Sequence, residues 1–172
     1  MHIPLTITCL SKETLTQDVI EVIFTKPENF TFKSGQFVLF DVPLIENPSD
    51  IQPRAYSIAS APEEPELRFV FQHTPGGRAS RFVAEVLMPG MQMTMKGPFG
   101  IFIIKPSTKP LLFVGTGTGI APFRAQLIDI LSTQKDMRPL YLLIGAREES
   151  DLFWREELMN LTEKFKNLHV HI

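Results

Sequence analysis

One cysteine, one tryptophan and two tyrosines are all that the 172 residues hold of those types, and 17 Lys and Arg nearly balance 19 Asp and Glu. With Cys9 alone, no disulfide can close within the chain, and an iron–sulfur cluster held by four protein thiolates is excluded. A net charge of −2 supplies no sequence-wide basic field for a nucleic acid or an anionic membrane. No apolar run reaches the roughly 20 residues of a membrane helix. No basic-then-apolar leader opens the chain either, Met1-His2-Ile3-Pro4 running straight into an alternating segment. The expectation is a soluble, cytoplasmic protein with no nucleic-acid partner and no membrane span.

What is abundant is phenylalanine, fourteen of them, within an apolar fraction of 44%. That is material for a packed core. The first hundred residues read as short strands: 3–10, 19–24, 35–42, 67–71 and 91–96, with a further strand-like run at 53–60. Ser34-Gly35, Asn47-Pro48, Pro75-Gly76-Gly77, Pro89-Gly90 and Gly97-Pro98 punctuate them as turns. One helix, Ala79 to Leu87, carries Phe82, Val83, Val86 and Leu87 on one stripe. Many short strands with frequent turns predict an antiparallel β-barrel.

The period changes after Lys105-Pro106-Ser107-Thr108-Lys109-Pro110, which reads as a linker. Apolar strands at 111–114, 140–144 and 168–172 alternate with helices at about 122–133 and 154–165. Such apolar strands belong to a parallel α/β sheet covered on both faces, of which three strands and two helices would leave much uncovered. The division expected is 1–105 for the barrel and 106–172 for an incomplete α/β nucleotide-binding unit.

Four segments carry chemistry. In Pro53-Arg54-Ala55-Tyr56-Ser57, residues two apart share a strand face about 6.8 Å from each other, so Arg54 and Tyr56 offer a cation beside an aromatic plane. An anionic ligand joined to a flat ring suits that pair; a surface arginine next to a half-buried tyrosine is the plainer alternative. Pro75-Gly76-Gly77-Arg78-Ala79-Ser80-Arg81 combines flexible glycines, a helix start, a serine and two arginines, a pattern for phosphate as well as for an ordinary helix entry. Gly115-Thr116-Gly117-Thr118-Gly119-Ile120-Ala121-Pro122 joins a strand to a helix, the setting for a dinucleotide pyrophosphate. Ile120 stands where G-x-G-x-x-G has its third glycine, and no Gly-Lys-Ser/Thr follows. Gly145-Ala146-Arg147 lies past the next strand, with Ser150 or Asp151 able to cap the helix after it.

Arg54-Ala55-Tyr56-Ser57, Gly77-Arg78-Ala79-Ser80, Gly97-Pro98-Phe99-Gly100, the 115–122 segment and Gly145-Ala146-Arg147 stand in the order seen in the ferredoxin–NADP reductase family, which the chain resembles over nearly its whole length. The resemblance implies a six-stranded Greek-key flavin barrel followed by a partial NAD(P) domain. It implies FAD, with FMN the less favoured flavin, NADPH or NADH as co-substrate, and hydride transfer to flavin N5. Arg54 is implied to pair with flavin phosphate, Tyr56 to stack on the isoalloxazine and Ser57 to lie near N5. Ala55, Phe71 and His73 are implied as further cofactor contacts. Gly77, Arg78, Ala79 and Ser80 are implied to hold the pyrophosphate; Gly117, Thr118, Gly119 and Pro122 to meet the dinucleotide; and Arg147 to meet its ribose or phosphate. Electrons are implied to pass to ferredoxin, flavodoxin or an oxygenase or iron–sulfur component. Members of the family continue past the third strand with a Ser-Arg segment and a Cys-Gly-Pro turn, whereas this sequence stops at Ile172. A fragment is therefore expected, and a flavin- or nucleotide-binding module without turnover is the alternative reading.

Three features are assigned plain roles. His169 and His171 share a strand face and lack a third ligand, so solvent-facing histidines and no metal site are expected. Cys9 is read as an inert core residue. Glu148-Glu149 and Glu156-Glu157 are read as solvated charges near a helix start.

Overall fold

The computed structural model describes residues 3–172; Met1 and His2, on which part of the leader reading falls, lie outside the described residues. Strand β1 (Leu5–Thr16) is longer than its sequence pattern suggests, because it serves two partners. Its first half pairs antiparallel with β6 (Gln92–Phe99), and its second half, past an irregularity between Cys9 and Ser11, pairs with β2 (Val19–Thr25). With β3 (Phe37–Leu44), β4 (Asn47–Ser57) and β5 (Glu66–Gln72) the order is β4-β3-β6-β1-β2-β5. The Ala59 N–H donates to Arg68 O at 2.9 Å, drawing the residues after β4 onto β5 and curling the sheet toward closure.

Alternation fills this barrel. Val38, Phe40 and Val42 of β3, Leu67, Phe69 and Phe71 of β5, and Met93 and Met95 of β6 all point inward. Phe40 lies at the centre, with ring centroids 5.7 Å from Phe24, 4.9 Å from Phe69 and 5.9 Å from Phe71. Each such ring contributes about 1.5–3 kcal/mol by leaving water.

Further boundaries differ from the sequence reading, and Gly97-Pro98 is not a turn between strands but lies within β6. Asn47-Pro48 is not a turn: the chain reverses at Ile45-Glu46, and Asn47 begins β4. Pro48 and Pro53 are tolerated because β4 is an edge strand, where a missing N–H leaves no neighbour unpaired. The barrel's helix α1 (Arg78–Arg81) starts one residue early and widens into a π-turn over Phe82–Val86 before Leu87 becomes extended.

The second sheet is parallel, β7 (Leu111–Thr116), β8 (Leu140–Gly145) and β9 (Leu168–His171) in that order. Helices α2 (Ala121–Ile128) and α3 (Arg155–Lys164) connect them. The two helices cover one face of this sheet and leave the other open. Phe113, Leu140, Leu142, Ile144 and Leu168 are buried under the helices, while Leu112, Val114, Tyr141 and Leu143 are exposed. Right-handed crossovers between strands taken in sequential order put both helices on the same side, so alternation in β7 and β8 leaves the other face bare.

Candidate functional site

Two clefts lie where the sequence motifs converge. The first, about 350 Å³, is lined by Leu44 and Ile45 of the β3–β4 hairpin, Gln52 and Arg54 of β4, and Gly76, Gly77, Arg78 and Arg81 at the start of α1. Arg54 bonds only to Pro53 O and Gln52 Oε1, both at 2.8 Å, and forms no ion pair among the described residues. The other arginines of this cleft are already matched. Arg78 Nη2 meets Asp50 Oδ2 at 2.9 Å, and Arg81 bridges Glu46 (2.8 Å) and Glu85 (3.2 Å). The charge free to meet an anion here is thus Arg54.

Gly76 holds φ +71°, and a Cβ on it would meet nothing within 4 Å, so the backbone at this bend faces open space. Ser80 does not face the cleft. Its buried hydroxyl accepts from Thr74 N (3.1 Å) and is placed to donate to Thr74 O (3.1 Å) or Gly77 O (3.2 Å). It therefore shapes the 74–77 turn from behind, and Ala79, also buried, leaves only backbone for a ligand.

Tyr56 lies half-buried two residues from Arg54, with its ring 5.9 Å from Phe40 and 4.3 Å from Phe71. Burial pushes its phenol above the ordinary value, against the pull of Arg54, so it is neutral at pH 7. Phe71 is 1% exposed, which corrects its expected role: its ring supports Tyr56 from inside the barrel and does not reach the cleft. Ser57 is half-buried in register with Phe37, Ala55 is exposed, and so is His73, whose N–H donates to Asp18 O at 2.6 Å.

The second cleft, about 450 Å³, opens at the carboxyl ends of β7 and β8, where open parallel sheets bind ligands. Thr116, Gly117, Gly145, Ala146, Arg147 and Asp151 form one wall; Thr16, Asp18, Val19 and Gln72 of the barrel form the other. The Gly-rich segment is a 3₁₀ turn over Gly117–Ile120 that no side chain caps, with Pro122 in the first turn of α2. Gly117 (φ +49°) and Gly119 have open space where a Cβ would stand. Uncapped N–H groups at such a turn favour an anion. Thr118 is partly buried within that turn. Arg147 is 81% exposed and touches Asp151 at 3.5 Å. Ser150 and Asp151 do not cap α3. They sit in a 3₁₀ turn, and the helix starts from Trp154 in the left-handed region at φ +59°.

Sequence reasoning missed the polar cluster between the two units. Arg124 of α2, 3% exposed, reaches Glu64 and Glu157 at 3.0 and 2.6 Å; Arg68 reaches Glu157 and the buried Glu21 at 3.4 and 3.1 Å. Glu157 is therefore no solvated charge, which corrects the reading of Glu156-Glu157. The signal available was a lone arginine inside Ala121-Pro122-Phe123-Arg124-Ala125-Gln126-Leu127, where a buried charge demands partners. Glu21 Oε2 and Trp154 Nε1 are buried without a hydrogen bond of good geometry, the Arg68 contact to Glu21 being ionic. The two histidines of β9 are exposed, His169 stacking on Tyr141 at 5.1 Å.

A barrel with an arginine that forms no ion pair among the described residues, beside a supported tyrosine, is thus joined to a parallel sheet with an uncapped glycine turn. Comparison with known proteins gives the group. Residues 6–104 match the oxidoreductase FAD-binding domain family, and residues 113–172 match the oxidoreductase NAD-binding domain. The chain belongs to the oxidoreductase FAD-binding domain family. It is 38% identical over 148 residues to ferredoxin–NADP reductase B of Sorangium cellulosum, covering 84% of this chain and 59% of that one. It is 34% identical over 136 residues to the toluate 1,2-dioxygenase electron transfer component of Pseudomonas putida, covering 79% and 39%. A cytochrome P450 reductase from Amycolatopsis superposes with a TM-score of 0.86 at 25% identity, over 99% of this chain and 52% of the other. The chain spans about a third to three fifths of the length of curated relatives it matches.

Proposed function

We propose that the chain is the flavin-holding part and the opening of the nicotinamide-binding part of an NAD(P)H-dependent electron-transfer reductase. Residues 1–105 hold FAD and residues 106–172 begin the dinucleotide site. The observation that carries this reading is Arg54: a cation that forms no ion pair among the described residues, beside a glycine-walled cleft, on the same strand face as a half-buried tyrosine. The residues fit the group, since Arg54 matches a flavin phosphate, the Gly76 backbone leaves room for a pyrophosphate, and Phe71 holds Tyr56 as a ring platform.

When bound, the flavin would supply the redox chemistry, two-electron exchange with a reduced nicotinamide dinucleotide. The chain's own groups bind and orient. Arg54 fixes the phosphate, with the Gly77, Arg78 and Ala79 backbone beside it and Ser80 bracing that turn. Tyr56 and Ser57 flank the ring at the end of β4. Gly117, Thr118 and Gly119 present backbone to the dinucleotide, Pro122 pre-sets the first turn of α2 and Arg147 meets ribose or phosphate. His73 and Ala55 border the ring-side opening. The relatives' names point to an electron-accepting protein, a ferredoxin or an oxygenase component, as the partner.

Purified protein reconstituted with FAD should be yellow, and Arg54→Ala should weaken flavin binding about tenfold to a hundredfold, the worth of one charge-assisted contact. A protein that takes up neither FAD nor FMN would sink the proposal. Anaerobic NADH or NADPH should bleach the colour; persistent colour with both leaves a module that only holds its cofactor.

A further inference from the structure

Helix α2 leaves the Gly-rich turn and at once becomes the segment of the α/β unit most firmly tied to the barrel. Arg124 donates from Nη1 to Ala59 O (2.7 Å) and Glu64 Oε2 (3.0 Å), from Nη2 to Glu64 Oε1 (3.0 Å) and Glu157 Oε1 (2.6 Å), and from Nε to Glu157 Oε1 (2.9 Å). Its guanidinium lies 5.6 Å from the Trp154 ring. Further along the helix, Gln126 Nε2 donates to Phe102 O at 2.7 Å, and Asp129 Oδ2 accepts from Ser34 Oγ at 2.7 Å. The barrel-side partners are not scattered. Ala59 lies two residues past Ser57, and Ser34 lies three before Phe37, the register partner of Ser57.

We infer that Arg124 is a positioning residue, which fixes the Gly117–Ile120 turn relative to the end of β4 and so sets the distance between a dinucleotide on one unit and a flavin on the other. The inference rests on the functional reading above. Cohesion alone does not explain such a residue. Burying a guanidinium among carboxylates costs solvation that apolar packing would not, and the return on a planar, multidentate fork is fixed geometry. Hydride transfer needs that return, because reacting atoms must approach to about 3–3.5 Å and a misplacement near 1 Å costs about a hundredfold in rate.

The test uses Arg124→Lys, which keeps the charge without the fork, and Arg124→Gln. Two readouts are needed: hydrogen exchange of residues 59–64 and 121–129 in the flavin-free protein, and the limiting rate of flavin reduction at saturating NADH or NADPH. Exchange in both segments should quicken by roughly tenfold, and the limiting rate should fall about tenfold to a hundredfold, while flavin affinity and the KM for dinucleotide change less than about threefold. A purely cohesive role would lower the melting temperature without splitting kcat from KM. Unchanged exchange, an unchanged limiting rate, or a rate loss that only tracks flavin loss overturns the inference. Should both variants fail to fold, Ser34→Ala and Gln126→Ala remove one neutral donor each, and an unaltered limiting rate in both refutes it. Wild-type protein that binds flavin yet stays coloured with both dinucleotides fails the functional reading instead, and the exchange data then judge the alignment.

Discussion

Gly35 and Gly76 both hold positive φ, +95° and +71°, yet they tolerate a side chain very differently. A Cβ at Gly35 would stand 1.9 Å from Phe102 O and 2.4 Å from Gln126 Nε2, in the seam between barrel, linker and α2; one at Gly76 would meet nothing. Gly76→Ala should therefore cost only the left-handed strain, about 1 kcal/mol. Gly35→Ala adds a backbone clash and should cost about 3 kcal/mol or more. Urea unfolding of the two variants checks this, and equal losses would contradict it. The sequence marks both glycines as turn residues and cannot rank them, since the atoms that crowd Gly35 come from residues 67 and 91 positions later. Tyr56 shows the same limit. Its neighbour Arg54 is given by strand period, while the Phe71 ring behind it belongs to β5, at the opposite end of the strand order from β4 but close across the barrel interior.

At the scale of elements, α1 is the instructive case. With four residues and no side-chain N-cap, it has little helical stability of its own. The Ser80 hydroxyl, hydrogen-bonded to both Thr74 and Gly77, joins it to the preceding turn. Ser80→Ala should cost about 1 kcal/mol and leave the Thr74 N–H without that acceptor. Because it loosens the Gly76-Gly77 bend, it should also weaken flavin binding more than Arg81→Ala, whose side chain is spent on Glu46 and Glu85. Titration of the two variants with FAD compares them; a larger loss for Arg81→Ala contradicts the argument. The location of this helix was legible from its apolar stripe. The use of Ser80 was not, because a serine in a glycine-rich helix start reads equally as ligand or as brace until its rotamer is known.

For the molecule as a whole, the seam between the units holds two carboxylates whose shifts run in opposite directions. Burial lifts the Glu64 carboxyl, but hydrogen bonds and charge from Arg124 outweigh it and hold the group below its ordinary value. Its stabilising contribution is present above the unfolded carboxyl range, near pH 4.3, and is lost as pH falls through the lower folded value. Glu21 runs the other way. Burial raises it against the opposing charge of Arg68, so its contribution is complete below the unfolded range and declines as pH rises through the folded value. Glu64→Gln should therefore be less stable than wild type at pH 7, with the gap closing as the pH drops below about 4. Urea midpoints measured from pH 3 to 7 test the sign, and a gap that widens on acidification would refute it. Glu64 and Arg68 are close neighbours, but Arg124 and Glu157 lie far from them in sequence, and nothing in their local patterns announces one cluster.

Period and turn chemistry were enough to yield an antiparallel barrel followed by a parallel α/β segment, because inward alternation and strand–helix spacing are local properties of the chain. The same local logic put Arg54 beside Tyr56 and a glycine turn ahead of α2. Long-range packing settled the remainder. It spent Arg78 and Arg81 on carboxylates, left Arg54 unpaired, withdrew Phe71 and Ser80 from the cleft, placed both α/β helices on one face and gathered three carboxylates around two arginines at the seam. Those outcomes depend on which distant groups come within about 3 Å of one another, a quantity that one-dimensional spacing does not contain.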